Sequence, residues 1–127
     1  MKIAVWVWLG ALALAQPRAT IIPNLDAANW IHDPKDSSDS VVLYEDPKTG
    51  AMDLLVRYPA GHKLMPHSHR TNERLILLEG KLSAQLGDAS EVTMSPGGLF
   101  IAPAGQTHRI ACISGNRCTF YIAWGGK

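Results

Sequence analysis

Four side chains that can bind a metal ion lie in two short stretches of the sequence. His67, His69 and Glu73 fall within one run of seven residues, and His108 lies in a second stretch further along the chain. Three imidazoles and one carboxylate suit a divalent transition metal such as manganese, iron, nickel, copper or zinc. The residue types therefore predict one metal centre, and they leave the identity of the metal open.

The spacing of these residues indicates how they would converge. His67 and His69 are two residues apart, so on a β-strand both side chains point to the same face. Glu73 is an even number of residues after His67 and can share that face if a strand or turn preserves the alternation. His108 must then come from a distant strand that folds alongside the first.

The elements around these residues are predicted to be short strands. After residue 16 no stretch has a convincing helical period over three turns, and β-rich runs are separated by Gly, Pro and Asp. Many short strands indicate an all-β sandwich or a closed barrel, which also removes exposed strand edges. The predicted strands are Val41–Glu45, Met52–Tyr58, Arg74–Glu79, Lys81–Leu86, Glu91–Met94, Leu99–Ala102, His108–Ile113 and Cys118–Trp124.

Alternation along one strand predicts which side chains line the interior. If Glu73 faces inward, Leu75 and Leu77 face inward below the metal, and Ile76 and Leu78 face outward. Two apolar side chains on the outer face need a cover, which could be the N-terminal arm or another subunit. The pattern leaves both covers open, and a homodimer, which we expect, would supply the second.

Composition limits the class of protein. The 127 residues suggest one domain, and 12 Lys and Arg against 11 Asp and Glu give a net charge of +1. A nucleic-acid-binding protein needs a basic face for phosphates, so nucleic acid is not an expected partner. A small-molecule ligand or substrate is expected instead.

The first fifteen residues have the pattern of a secretory signal peptide. Lys2 precedes the apolar run Ile3–Leu14, and Ala13-Leu14-Ala15 is a small-x-small cleavage site. The alternatives are a membrane anchor or a buried helix, but a membrane span takes roughly 20 residues. We predict a signal peptide at 1–15, an N-terminal arm at 16–40 and a barrel at 41–127. The mature protein would be periplasmic or secreted, with no membrane attachment after cleavage.

Two cysteines, Cys112 and Cys118, are present. An exported protein meets an oxidising compartment, which permits a disulfide. If Ser114-Gly115-Asn116 forms a three-residue hairpin loop, the two cysteines lie opposite each other within disulfide reach. Two free thiols packed in the core are the alternative.

The first metal-binding stretch resembles the first motif of the cupin superfamily. That motif is G-x5-H-x-H-x3,4-E-x6-G, and Gly61, His67, His69, Glu73 and Gly80 fill every fixed position. The two glycines that bracket this stretch suit turns or close backbone approach.

The second stretch resembles the second cupin motif, G-x5-P-x-G-x2-H-x3-N. Gly97, Pro103, Gly105 and His108 match it, while Cys112 stands where asparagine is usual. The departure touches a structural position and leaves the ligand set intact. The resemblance implies a double-stranded β-helix, the jelly-roll cupin barrel, with one metal in its mouth. It is most similar to small single-domain cupins.

Three functions are compatible with such a protein. We expect first a metal-dependent oxygenase of the dioxygenase type that acts on a small organic molecule. A non-catalytic metal-binding or sensor cupin is the alternative, and a metal-dependent isomerase, lyase or hydrolase is a second one. No catalytic residue can be assigned, and Gln106, on the loop before His108, is a candidate to support the ligands.

Overall fold

The computed structural model describes residues 19–125, and the predicted signal peptide lies outside them. Within this range the chain is almost entirely β-structure, which confirms the predicted all-β class. The one helical element is a 3-10 turn at Leu25–Ala27, which the side chain of Asn24 caps. No helix among the described residues is long and apolar enough to cross a membrane. The strands are β1 Ile31–Asp33, β2 Ser38–Glu45, β3 Met52–Tyr58, β4 Lys63–His67, β5 Glu73–Glu79, β6 Leu82–Leu86, β7 Val92–Met94, β8 Leu99–Ala102, β9 His108–Cys112 and β10 Cys118–Trp124.

The ten strands form two antiparallel sheets that enclose a common core. The larger sheet has the order β1-β2-β3-β10-β5-β8, and the smaller has the order β4-β9-β6-β7. The chain passes from the larger sheet to the smaller one between β8 and β9, and it returns to the larger sheet between β9 and β10. This arrangement is the predicted jelly roll, in which two sheets bury their inner faces against each other.

The inner faces supply the core, and the alternation predicted for β5 is confirmed. Glu73, Leu75 and Leu77 are 3%, 0% and 0% exposed, whereas Ile76 and Leu78 are 36% and 38% exposed. Burying one leucine side chain fully contributes about 1.5–3 kcal/mol to folding. Strand β5 therefore has two roles. Its first residue, Glu73, is a buried carboxylate, and its next two inward residues, Leu75 and Leu77, pack in the core.

The region predicted as an N-terminal arm contributes to the larger sheet. Strand β1 pairs with β2, and β2 begins at Ser38, three residues before the strand predicted from the sequence. The guanidinium of Arg57 stacks over the Trp30 ring at 3.9 Å from the ring centroid. This segment therefore packs along the sheet edge as part of the same domain.

The two cysteines are joined as a disulfide, but not across a hairpin. Cys112 ends β9, which pairs with β4 and β6, whereas Cys118 begins β10, which pairs with β3 and β5. The hairpin considered from the sequence does not form, because the chain changes sheets between the two residues. The bridge, with Cα atoms 5.8 Å apart, therefore links the two sheets.

Candidate metal centre

The candidate ligands lie at one end of the barrel because three of them stand at strand ends and the fourth lies on the loop that joins two of these strands. His67 is the last residue of β4 and pairs in register with His108, the first residue of β9. Glu73 is the first residue of β5, and His69 lies on the short loop between β4 and β5. Antiparallel pairing thus brings residues about forty positions apart to the same rim.

The three imidazoles converge. One ring nitrogen from each of His67, His69 and His108 lies within 4.8 Å of the other two. The ring centroids of His67 and His108 are 4.4 Å apart, and that of His69 lies 4.9 Å and 5.3 Å from them. The three histidines therefore form a set that could hold a metal ion, as predicted, but His69 follows the end of β4, so strand alternation is not what brings it beside His67.

Backbone carbonyls orient two of the rings. The Nδ1 atom of His67 donates to the carbonyl of Met65 at 2.7 Å, and Nδ1 of His108 donates to the carbonyl of Gln106 at 2.9 Å. A carbonyl oxygen can only accept, so in a neutral ring the proton lies on Nδ1 and the lone pair lies on Nε2. Metal-binding histidines are oriented in this way in many proteins.

The Nε2 atom of His108 has no hydrogen-bond partner although it is buried. The His108 side chain is 1% exposed, and its nearest charged neighbour, Oε2 of Glu73, is 3.5 Å away. Leaving a buried polar atom unpaired costs about 1–3 kcal/mol. A cation at this position would accept the lone pair, so the residues present fit a bound metal.

Glu73 lies against two of the imidazoles. Its Oε2 atom is 2.7 Å from Nε2 of His69 and accepts a hydrogen bond of 3.1 Å from Nε1 of Trp124. The carboxylate therefore adjoins the histidine cluster, and its predicted role as fourth ligand stays a prediction.

Burial also affects the charge state of His69. Loss of hydration lowers the pKa of His69 from its usual 6.5, although the Glu73 carboxylate acts in the opposite direction. The imidazole is therefore biased toward the neutral form, which is the form that binds metals.

Hydrogen bonds to the loop before His108, which the sequence did not reveal, fix the position of the His69 backbone. Its carbonyl accepts from the backbone N–H of Gly105, and the Asn72 side chain accepts from the N–H of Ala104 at 2.9 Å. The carbonyl of Asn72 also accepts from Gly125. Asn72 is an ordinary loop residue in the sequence, and no signal there predicts this role.

The remaining candidates occupy other places. Gln106 supports His108 through its backbone carbonyl, while its side chain donates to the carbonyl of Thr107. His62 stacks on Tyr58 with ring centroids 4.1 Å apart, away from the cluster. The residues that sequence reasoning missed are Phe100, whose ring lies 5.2 Å from that of His108, and Trp124, whose indole donates to Glu73.

Comparison with known proteins identifies the family. The family model described as the ChrR cupin-like domain matches residues 18–126, so the chain belongs to this family of cupins. No curated protein sequence matches the chain.

Solved structures share the fold. The Cnp3 cupin domain of Schizosaccharomyces pombe has a TM-score of 0.70 at 19% identity and covers 82% of this chain and 72% of that chain. A cupin superfamily protein from Desulfitobacterium hafniense DCB-2 has a TM-score of 0.65 at 16% identity, with 87% and 94% covered. A chain of the complex between Rhodobacter sphaeroides SigE and the anti-sigma ChrR has a TM-score of 0.64 at 20% identity, with 80% and 50% covered. At these identities the likeness concerns the fold.

Proposed function

We propose that this protein is a metal-binding cupin whose centre consists of His67, His69 and His108, with Glu73 as the fourth ligand. One observation carries the proposal: the buried Nε2 atom of His108 has no partner and faces the other two imidazoles. A divalent cation would satisfy this atom, and the Glu73 carboxylate would offset part of the charge of the ion.

The metal is a divalent transition ion with nitrogen and oxygen ligands. Manganese, iron, nickel, copper and zinc all suit this set, and affinity alone favours copper. Metal analysis of protein isolated from its native compartment identifies the ion. The ion found in recombinant protein instead depends on which metals the growth medium supplies. A native preparation with no bound metal, and no uptake of any of these ions, would contradict the proposal.

We propose oxygenase chemistry of the dioxygenase type as the activity. Four protein ligands leave open positions at a bound metal, which would supply sites for dioxygen and a small organic substrate. The chain's own contribution is to orient the ligands through the carbonyls of Met65 and Gln106 and to exclude water. The buried Phe100 ring, 5.2 Å from that of His108, would help to keep water from that ligand.

Oxygen consumption tests this activity. Metal-loaded protein is mixed with a panel of phenols, thiols and diketones, and His67→Ala protein treated in the same way is the control. Uptake by wild-type protein alone supports the oxygenase. Wild-type protein that binds metal but consumes no oxygen with any compound would replace the oxygenase with the second candidate.

The second candidate is a non-catalytic metal or small-molecule sensor. It is favoured by the family match to the ChrR cupin-like domain and by the likeness to a chain of the complex that SigE forms with the anti-sigma ChrR. A sensor would change its affinity for a protein partner when the metal or a small ligand binds.

Export and self-association are part of the proposal. The signal-peptide pattern at residues 1–15 supports export, and cell fractionation with N-terminal sequencing of the mature protein tests it. The outward Ile76 and Leu78 support a homodimer. Light scattering coupled to sizing would contradict the dimer by giving the mass of one chain.

A further inference from the structure

The indole of Trp124 contacts the candidate metal centre in two ways: it donates a hydrogen bond to Glu73, and its ring packs beside that of His69 with ring centroids 5.4 Å apart. Trp124 is the last residue of β10 and pairs in register with Glu73, the first residue of β5. Its Nε1 atom donates to Oε2 of Glu73 at 3.1 Å. Because both residues belong to a central strand pair, the backbone fixes the position of the donor relative to the carboxylate.

The same carboxylate oxygen also faces the histidines. Oε2 of Glu73 lies 2.7 Å from Nε2 of His69 and 3.5 Å from Nε2 of His108, and Glu73 is 3% exposed. An imidazole that turns its lone pair to a metal no longer donates to this oxygen. The indole N–H has no lone pair to give a metal, so it remains available to Glu73 in both states.

We propose that Trp124 is a positioning residue that acts through Glu73. Its indole N–H keeps the carboxylate directed at the cluster of His67, His69 and His108, and so sets the affinity of the centre for a metal. This inference rests on the proposed metal binding. Groups that orient ligands in this way typically contribute a factor of 10 to 100 in metal affinity.

A second tryptophan provides a matched control. Trp30 also donates its indole N–H, to the carbonyl of Leu25 at 2.7 Å, and its ring packs against Arg57. Trp30→Phe thus removes the same chemical group from a site with no contact to the histidines. Trp124→Phe keeps an aromatic ring beside His69 and removes the donor, but the phenyl ring is smaller than the indole, so the loss of packing must be measured separately.

Zinc alone is the probe, and its dissociation constant is measured by competition with a chromophoric chelator. We expect Trp124→Phe to weaken zinc binding about 10-fold and Trp30→Phe to leave it unchanged. In a Glu73→Leu background, Trp124→Phe should cause no further loss, because its acceptor is gone. An equal factor in both backgrounds would show that Trp124 acts by packing and would overturn the proposal.

Hydrogen exchange of the indole N–H groups tests the contact without changing Trp124. The full-length chain has four tryptophans. Their indole signals in ¹⁵N-labelled protein are assigned from Trp124→Phe and Trp30→Phe, or, if Trp124→Phe does not fold, by elimination from Trp6→Phe, Trp8→Phe and Trp30→Phe. Exchange at Trp124 should be slow in metal-free and zinc-bound protein and fast in Glu73→Leu, with Trp30 unaffected. Slow exchange at Trp124 in Glu73→Leu would overturn the proposal.

The outcomes separate this inference from the proposed function. If wild-type protein binds zinc no better than His67→Ala, both the proposed metal centre and the role of Trp124 are contradicted. Wild-type protein that binds zinc tightly while Trp124→Phe binds it equally well leaves the metal centre in place and removes only the role of Trp124.

Discussion

The two ends of the barrel stabilise their buried polar and reactive groups by different means. Strand β10 connects them, with Cys118 at one end and Trp124 six residues along at the other, roughly 20 Å away. At the first end a disulfide joins the sheets, and Tyr58 stacks on His62, whose buried Nε2 atom also has no hydrogen-bond partner among the described residues. At the second end three imidazoles surround a space, and one of them has an unpaired nitrogen.

Each end has one unpaired buried nitrogen, but within the described part of the chain only at the second end do two further imidazoles converge on it, so that end is the one that could hold an ion. The disulfide end is closed by a covalent bond whose two residues are 2% and 0% exposed. The histidine end has no such bond, and a cation held by the three imidazoles would give its buried nitrogen a partner. We therefore expect substitutions at one end to change metal binding and substitutions at the other to change folding stability.

The largest expected effect is at the histidine end. His108→Ala removes a buried ligand, so the affinity for zinc should fall by more than the roughly 100-fold that supporting residues contribute. Chelator competition measures the loss, and thermal unfolding of the metal-free protein shows whether the fold survives. Unchanged zinc affinity in a folded His108→Ala variant would contradict the expectation that this end of the barrel binds the metal.

A glycine at the disulfide end provides the next effect. Gly80 has φ +90°, and a Cβ there would lie 2.8 Å from the carbonyl oxygen of Arg117 and from Sγ of Cys118. Gly80→Ala should lower the free energy of unfolding by about 3 kcal/mol, because left-handed strain and overpacking add.

Gly61 is the matched control for this substitution. It has φ +81°, but a Cβ there meets nothing within 4 Å. Gly61→Ala should cost only the strain, about 1–2 kcal/mol. Urea unfolding compares the two variants, and equal losses would show that the contact with Cys118 contributes nothing.

Removing the disulfide should have a smaller effect on stability and none on the metal. The bridge closes a short loop, with a sequence separation of 6. Replacing both cysteines with alanine should lower the free energy of unfolding by about 2 kcal/mol, since the unfolded chain gains freedom. Zinc affinity should match that of wild type. Detection of free thiols by labelling of unreduced wild-type protein would contradict the presence of the disulfide.

The smallest effect concerns Tyr58 at the same end. Burial raises the pKa of Tyr58 from 10.0 to about 12. The unfolded chain loses this proton first, so the contribution of Tyr58 to stability is present below pH 10 and is lost as the pH rises towards 12. The pKa of Tyr121 is also raised, chiefly by burial, so an ultraviolet titration should show more than one late ionisation, and the component near pH 12 should disappear in Tyr58→Phe. A Tyr58 that ionises near 10 would contradict the buried position.

Much of the barrel could be predicted because alternation and turn residues are local properties. The inward set on β5, with Glu73 and Leu75 buried and Ile76 outward, follows from the two-residue period alone. The route of the chain between the two sheets does not follow from this period. Cys112 and Cys118 are separated by a segment typical of a hairpin, yet their strands pair with other partners. Strand pairing depends on which apolar faces meet in the core, which no local pattern records.

By itself, the sequence determined the histidine set, the all-β class and the inward face, because residue type and spacing are sufficient for each. Only the tertiary structure decided that His67 pairs with His108 across two strands, and that the indole of Trp124 meets the carboxylate of Glu73. It also decided that the disulfide joins two sheets. These contacts join residues far apart in the chain, and they form only when the two sheets bury their apolar faces together.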